Sequence, residues 1–233
     1  MKIAIMQPYL FPYIGYFQLI NAVEKFVILD TVSYIKKGWI NRNRILVNGT
    51  PHLFTISIKA KSQNILIKDI LLDNDKNDVE NLLKTIYLNY KKAPYFKNVY
   101  ELIEESLMKK HNKIVDLILS SIGVINHYLD ISTKIIHTST GYNTDISGQE
   151  RIIKICNCEK ATHYINPIGG IELYNNELFS RNGLELSFLK TKPLEYKQFA
   201  NIFEPNLSIV DLLMFNSPDK VAEMLMEYEL WQK

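Results

Sequence analysis

Two arginines spaced two apart, Arg42 and Arg44, close a nine-residue stretch that also carries Lys36 and Lys37 and contains no acid. On an extended segment they share one face, with Trp39, Asn41 and Asn43 on the other. Guanidinium pairs suit phosphate or carboxylate, because each presents a planar fork of donors. A solvated basic turn is the plainer alternative. The other concentration of chemistry lies upstream, where Tyr9, Phe11, Tyr13, Tyr16 and Phe17 put five rings into nine residues between Pro8, Pro12 and Gly15. Such a loop either tucks its rings into the core or walls a ligand pocket. The prolines would stiffen it, and a helix starting at Gly15 would offer N–H groups to an anion. Asp30 ends an apolar run beside the basic cluster and is a candidate to orient a substrate or accept a proton, unless it simply pairs with Lys36 or Arg42. His163 is the other candidate base, since imidazole titrates near neutral pH. A core-facing histidine is the plainer reading of the same residue.

Two further places offer polar groups at turns. Gly169 and Gly170 stand between an expected strand and a helix, an arrangement that exposes backbone N–H groups, although most Gly-Gly pairs are simply turns. Asn206, Ser208 and Asp211 near the chain end read as helix-capping residues. Cys156-x-Cys158 lacks the second pair that a zinc site needs, and there is no Walker sequence, no Gly-x-Ser-x-Gly elbow and no His-Glu-x-x-His. Metal, P-loop and serine-hydrolase chemistry are disfavoured, and no cofactor is indicated.

These residues need a frame. Apolar runs at 3–6 and 26–29 flank a helical stretch containing Phe17, Ile20 and Val23, which is the βαβ pattern of a parallel sheet. Ligands of such sheets bind beyond the carboxyl ends of the strands, here Gln7 and Asp30. Asn48-Gly49 predicts a hairpin between 45–47 and 53–58. A strand is expected at 65–71, then helices at 79–90, 95–108 and 112–129. Strands follow at 135–138, 162–165 and 184–189. Between them run a polar loop from Ser139, a helix through 151–158 with a Ser147/Glu150 capping box, and a helix over 171–182. A helix to Phe215 and another over 219–229 complete the chain. The fold class is α/β, a Rossmann-like, mostly parallel sheet with an inserted helical layer, in one domain over 1–233 with 79–130 as the helical insertion.

With 233 residues, 47% hydrophobic and 22% charged, the chain has the make-up of an ordinary globular protein. It carries no long apolar run and opens directly into a strand, so membrane insertion is not expected and a cytoplasmic location is. A net charge of +2 gives no general nucleic-acid footprint.

The stretches QPYLFPYIGYFQLI (7–20), FVILDTVSYIKKGWINRNRI (26–45), YKKAPYF (90–96) and FEPNLSIVDLLMFN (203–216) resemble the WbqC-like family of bacterial proteins, in the family's order over nearly the whole chain. One departure is Asp30-Thr31-Val32-Ser33-Tyr34, where the family pattern reads Asp-Asp-Val-Gln-Tyr. The resemblance implies a role in O-antigen or other lipopolysaccharide sugar biosynthesis. The expected activity is a transferase moving an acyl or aminoacyl group from a donor onto a nucleotide-linked amino sugar. Its substrate-binding set would be Gln7, Tyr9, Tyr13, Tyr16, Lys36, Trp39, Asn41, Arg42, Arg44, Gly169, Gly170 and Asn206. Another phosphorylated small molecule, an adenylate-forming or nucleotidyl-transferring enzyme, a non-catalytic pathway partner and a homodimer stay open. Residues 13–20 also resemble the His-x-Gly-His-x-x-Leu-Ile frame of nucleotidyltransferases, with Tyr13 and Tyr16 in the histidine places. Tyrosine cannot supply the cationic imidazole of that chemistry.

Overall fold

The computed structural model describes residues 1–59, 64–138, 141–142, 146–199 and 202–232. Part of the polar loop expected from Ser139 lies outside these residues. The first strand, β1 (Lys2–Met6), and the second, β2 (Lys25–Ile28), flank helix α1 (Ile14–Asn21) and pair in parallel, Ile3 opposite Lys25. With β5 (Lys134–His137), β6 (His163–Pro167), β7 (Glu185–Thr191) and β8 (Tyr228–Trp231) they form a six-stranded sheet in the order β5-β2-β1-β6-β7-β8. All neighbours are parallel except β7 and β8. The expected Rossmann-like α/β architecture is therefore present. Strand order reverses between β1 and β6, which makes their carboxyl ends a natural ligand crevice.

Strand alternation sends side chains to two cores. Ala4, Phe26, Ile28 and Ile165 join α1, α2 (Asp78–Tyr90), α3 (Phe96–Met108), α4 (Ile114–Tyr128), α7 (Ile209–Phe215) and α8 (Pro218–Leu225) on one face. Ile3, Ile5, Val27 and Tyr164 meet α5 (Gly148–Cys158) and α6 (Asn176–Arg181) on the other. Each parallel strand is covered on both sides, as its apolar character requires. Between β2 and β5 the chain leaves the sheet. There it builds a separate hairpin, β3 (Arg42–Val47) with β4 (Thr50–Thr55), and the three long helices. Asn48 and Gly49 both have positive φ, +50° and +77°, the type I′ geometry that their sequence signals.

Four expectations are corrected. Residues 65–71 form a short 3₁₀ turn (Ile67–Asp69) and isolated bridges, because their neighbours are loop segments with no strand edge to join. The helix expected over 171–182 is a 3₁₀ segment, Ile168–Leu173, followed by the short α6. The last helix stops at Leu225, and the chain returns as β8 along the exposed edge of β7. Ser147 stands at the N-cap of α5 but makes no side-chain capping bond.

Candidate functional site

The aromatic loop after β1 is held from two sides by distant parts of the chain. Asn43 on β3 donates from Nδ2 to the carbonyls of Leu10 (3.2 Å) and Phe11 (2.8 Å). Ser208, at the N-cap of α7, donates from Oγ to the same Phe11 carbonyl at 2.8 Å, and Ile209 N–H reaches the Pro12 carbonyl at 2.9 Å. Between these clamps Phe11 adopts φ +43° and Asn206 φ +56°. Asparagine tolerates the left-handed region, whereas for a bulky aromatic it is an outlier that persists only where its surroundings enforce it. Three stretches far apart in sequence are thus locked together.

What they enclose is a cavity of about 260 Å³. Tyr9, Pro12, Tyr13 and Trp39 supply its rings, Asn43 and Asn206 its amides, and Arg44 its charge. The Arg44 guanidinium lies 5.8 Å from the centroid of the Trp39 ring, in cation–π range. Its Nη2 donates to the Asn206 carbonyl at 3.2 Å, while its buried Nε has no hydrogen-bond partner among the described residues. Burial raises the pKa of the Tyr9 phenol, with Tyr13 adding to the effect, and burial likewise raises that of Tyr13. Both stay protonated at neutral pH and can donate a hydrogen bond.

Gly15 explains how Tyr13 reaches this place. A Cβ at Gly15 would lie 2.4 to 2.6 Å from atoms of the Tyr13 ring, so the ring rests directly over the first turn of α1. The ring therefore occupies the position beside Gly15 where an anion was expected. Gly15→Ala is expected to cost less than about 1 kcal/mol of stability, since alanine favours the helix. It should also swing Tyr13 outward and weaken ligand binding roughly tenfold, which a urea melt beside a binding titration would check.

Of the residues expected to form a site, Tyr9, Tyr13, Trp39, Arg44 and Asn206 meet around this cavity. The others are placed elsewhere. Tyr16 is core, its ring 5.1 Å from Phe26 and its hydroxyl donating to the Gln7 carbonyl at 2.9 Å. Asn41 is buried, donating to the Ile56 carbonyl at 2.8 Å and accepting from the Tyr34 hydroxyl at 2.9 Å. Arg42 folds back onto its own turn and donates to the carbonyls of Gly38, at 2.8 Å, and Lys37. Lys36 is exposed on that turn, and Gln7 is half-buried at the end of β1. Trp39 precedes β3, so strand alternation does not govern it and it joins Arg44 instead of the asparagines. Gly169 and Gly170 begin the 3₁₀ segment after β6 and do not line the cavity; a Cβ at Gly170 would meet Asn166 Nδ2 at 2.1 Å.

His163 opens β6, at the strand end away from the crevice. Its Nε2 is 2.8 Å from Ser187 Oγ and its Nδ1 3.5 Å from Glu185. Burial lowers its pKa, with Glu185 opposing. The structure does not bring it to Asp30. Asp30 is 1% exposed, its Oδ1 accepting from the Thr138 hydroxyl at 2.7 Å and its Oδ2 3.7 Å from His137 Nδ1. Thr31 next to it accepts from Arg151 through its carbonyl at 3.0 Å. This polar knot joins the ends of β2 and β5 and is not part of the cavity wall.

Sequence reading missed Asn43 as the clamp of the loop and His137 as the neighbour of Asp30. Asn43 is visible in the sequence as an amide between two arginines at the start of β3. Among the described residues no group of three or more His, Cys, Asp or Glu side chains is placed to hold a metal, and no helix is long and apolar enough to cross a membrane.

A family model described as the WbqC-like protein family matches residues 7–223. An uncharacterized protein of Mycobacterium tuberculosis is 28% identical over 215 residues, covering 91% of this chain and 92% of that protein. No solved structure matches.

Proposed function

The chain belongs to the WbqC-like protein family, and on that premise we propose that it is a cytoplasmic transferase of surface-polysaccharide biosynthesis, moving an acyl or aminoacyl group onto a nucleotide-linked amino sugar. The observation that carries this reading is Arg44, the one cation lining an aromatic cavity among the described residues, its guanidinium 5.8 Å from the centroid of the Trp39 ring. A guanidinium beside rings suits a substrate that combines a phosphate with a flat or sugar ring. The protonated Tyr9 and Tyr13 hydroxyls add hydrogen-bond donors for sugar oxygens.

No acidic or imidazole side chain lines this cavity among the described residues. The chemistry therefore rests on positioning: holding an amine against an activated carbonyl removes much of the entropic barrier to acylation. Asp30, in this reading, fixes the strand ends behind the site and does not exchange a proton with substrate.

Incubating the protein with nucleotide-linked amino sugars and activated acyl or aminoacyl donors should add one acyl group to the sugar, seen as a mass increase of the nucleotide-sugar. Pyrophosphate release from ATP with no mass gain on any sugar would overturn the transferase reading and favour an adenylate-forming enzyme.

A further inference from the structure

Beside the first cavity lies a second, of about 420 Å³, and the two share Tyr13 and Asn206. The second opens at the carboxyl end of β7, between Thr191 and the first turn of α1 at Ile14. That is the edge of a parallel sheet where ligands bind, and its volume is in the range of small-molecule sites.

The two chambers differ in charge. The first holds a guanidinium with donors to spare. In the second the one cation among the described residues is Lys192 at the rim, and it already pairs with Glu227 at 3.1 Å. Most of the remaining wall is apolar, Pro193, Leu194, Phe203 and Leu207 with the Tyr196 ring, and the exposed Glu195 adds a carboxylate that repels a phosphate. Tyr196 is locked there, its hydroxyl donating to the buried Asp211 at 2.6 Å. Such a chamber offers little to a phosphate and a good deal to carbon. We propose that it is a separate subsite for the activated acyl donor, with the acyl group against Leu194, Phe203 and Leu207, and that Tyr13 and Asn206 are the shared wall across which the group passes to the acceptor.

This inference rests on the acceptor reading above. In the transfer, the acceptor amine forms a C–N bond to the donor carbonyl carbon. The bond from that carbon to the donor's oxygen or sulfur breaks, and the leaving group departs with the electron pair and takes up the proton that the amine gives up.

Two fluorescent reporters separate the chambers. One is Trp39 itself in a Trp231→Phe background. The other is Phe203→Trp in a Trp39→Phe, Trp231→Phe background, which keeps a ring at every position. The expected result is that a nucleotide-linked amino sugar quenches the Trp39 reporter, acetyl-coenzyme A or an aminoacyl sulfamoyl adenosine shifts the Phe203→Trp reporter, and neither raises the other's half-saturation more than twofold. Sugar binding at Trp39 with no donor response at position 203, or competition between donor and sugar at Trp39, would overturn the separate subsite and leave the acceptor reading intact. Silence of both reporters would overturn the two together.

Discussion

Replacing Arg44 by alanine is expected to weaken binding of a nucleotide-linked sugar by about two orders of magnitude and leave the fold standing. A charge-assisted contact to a phosphate inside a partly desolvated site is worth about 2 to 5 kcal/mol on removal of one partner, and every 1.4 kcal/mol is about tenfold in Kd. Within the protein Arg44 has less to lose. Its bond to the Asn206 carbonyl and its cation–π contact with Trp39 are single contacts at a half-buried position, each worth about 1 kcal/mol or less. Arg44→Lys should recover part of the affinity, since it keeps the charge and gives up the planar fork. Calorimetric titration beside a thermal melt separates the two effects. Equal loss of stability with unchanged affinity would remove Arg44 from the site.

The largest loss of stability is expected at Asp211. This carboxylate is wholly buried, accepting from the Tyr90 hydroxyl at 2.7 Å, the Tyr196 hydroxyl at 2.6 Å and Gln198 Nε2 at 2.8 Å. Tyr90 in turn accepts from the Leu46 N–H at 2.7 Å, so one chain of bonds ties α7, α2 and β3 together behind the loop. Asp211→Ala strands three donors at once, at about 1 to 3 kcal/mol for each that water cannot reach, so a total near 4 kcal/mol is expected. For a chain of this size that corresponds to a fall in Tm on the order of 10 °C. Desolvation raises the Asp211 pKa above its ordinary value although its three donors pull the other way. A folded pKa above the unfolded one gives a contribution that is full below the unfolded value and lost as pH rises through the folded one. Relative to Asp211→Asn, the native protein should therefore gain stability on acidification toward pH 4. Urea melts at several pH values check both points. A loss below about 1 kcal/mol with binding abolished would mean that Asp211 acts on a ligand and not on the fold.

The network also shows what sequence reading can and cannot reach. Periodicity located α2, α3 and α4 to within two residues, because each buries one apolar stripe, Leu82, Leu83, Ile86 and Tyr90 in α2 for example. It could not show that Tyr90 turns its hydroxyl to a carboxylate in α7, since that pairing exists only once both helices are packed. The strand β8 escaped notice for a related reason. Tyr228–Trp231 is an exposed edge whose only signal is its pairing with β7, and its Glu and Leu are good helix formers.

In the site, residue type identified Arg44, Trp39, Tyr9, Tyr13 and Asn206, but residue type alone could not sort them from Arg42, Asn41 and Tyr16. That sorting depends on where strand β3 begins and which side of α1 faces the sheet. Tyr13 is the N-cap of α1, its ring folded over Gly15, whereas Tyr16 lies within the helix and packs on Phe26. His163 stands out by residue type alone, whereas its place at the start of β6 puts it at the amino end of the sheet, opposite the strand ends where ligands bind.

The protein has two tryptophans, and of these Trp39 lines the cavity proposed for the acceptor. The most direct measurement is therefore the fluorescence of Trp39 in a Trp231→Phe variant during titration with a nucleotide-linked amino sugar. Saturable quenching that Arg44→Ala weakens about 100-fold is the expected result. Calorimetric binding of the same sugar with no change at Trp39 would place the acceptor elsewhere and contradict the assignment of this cavity.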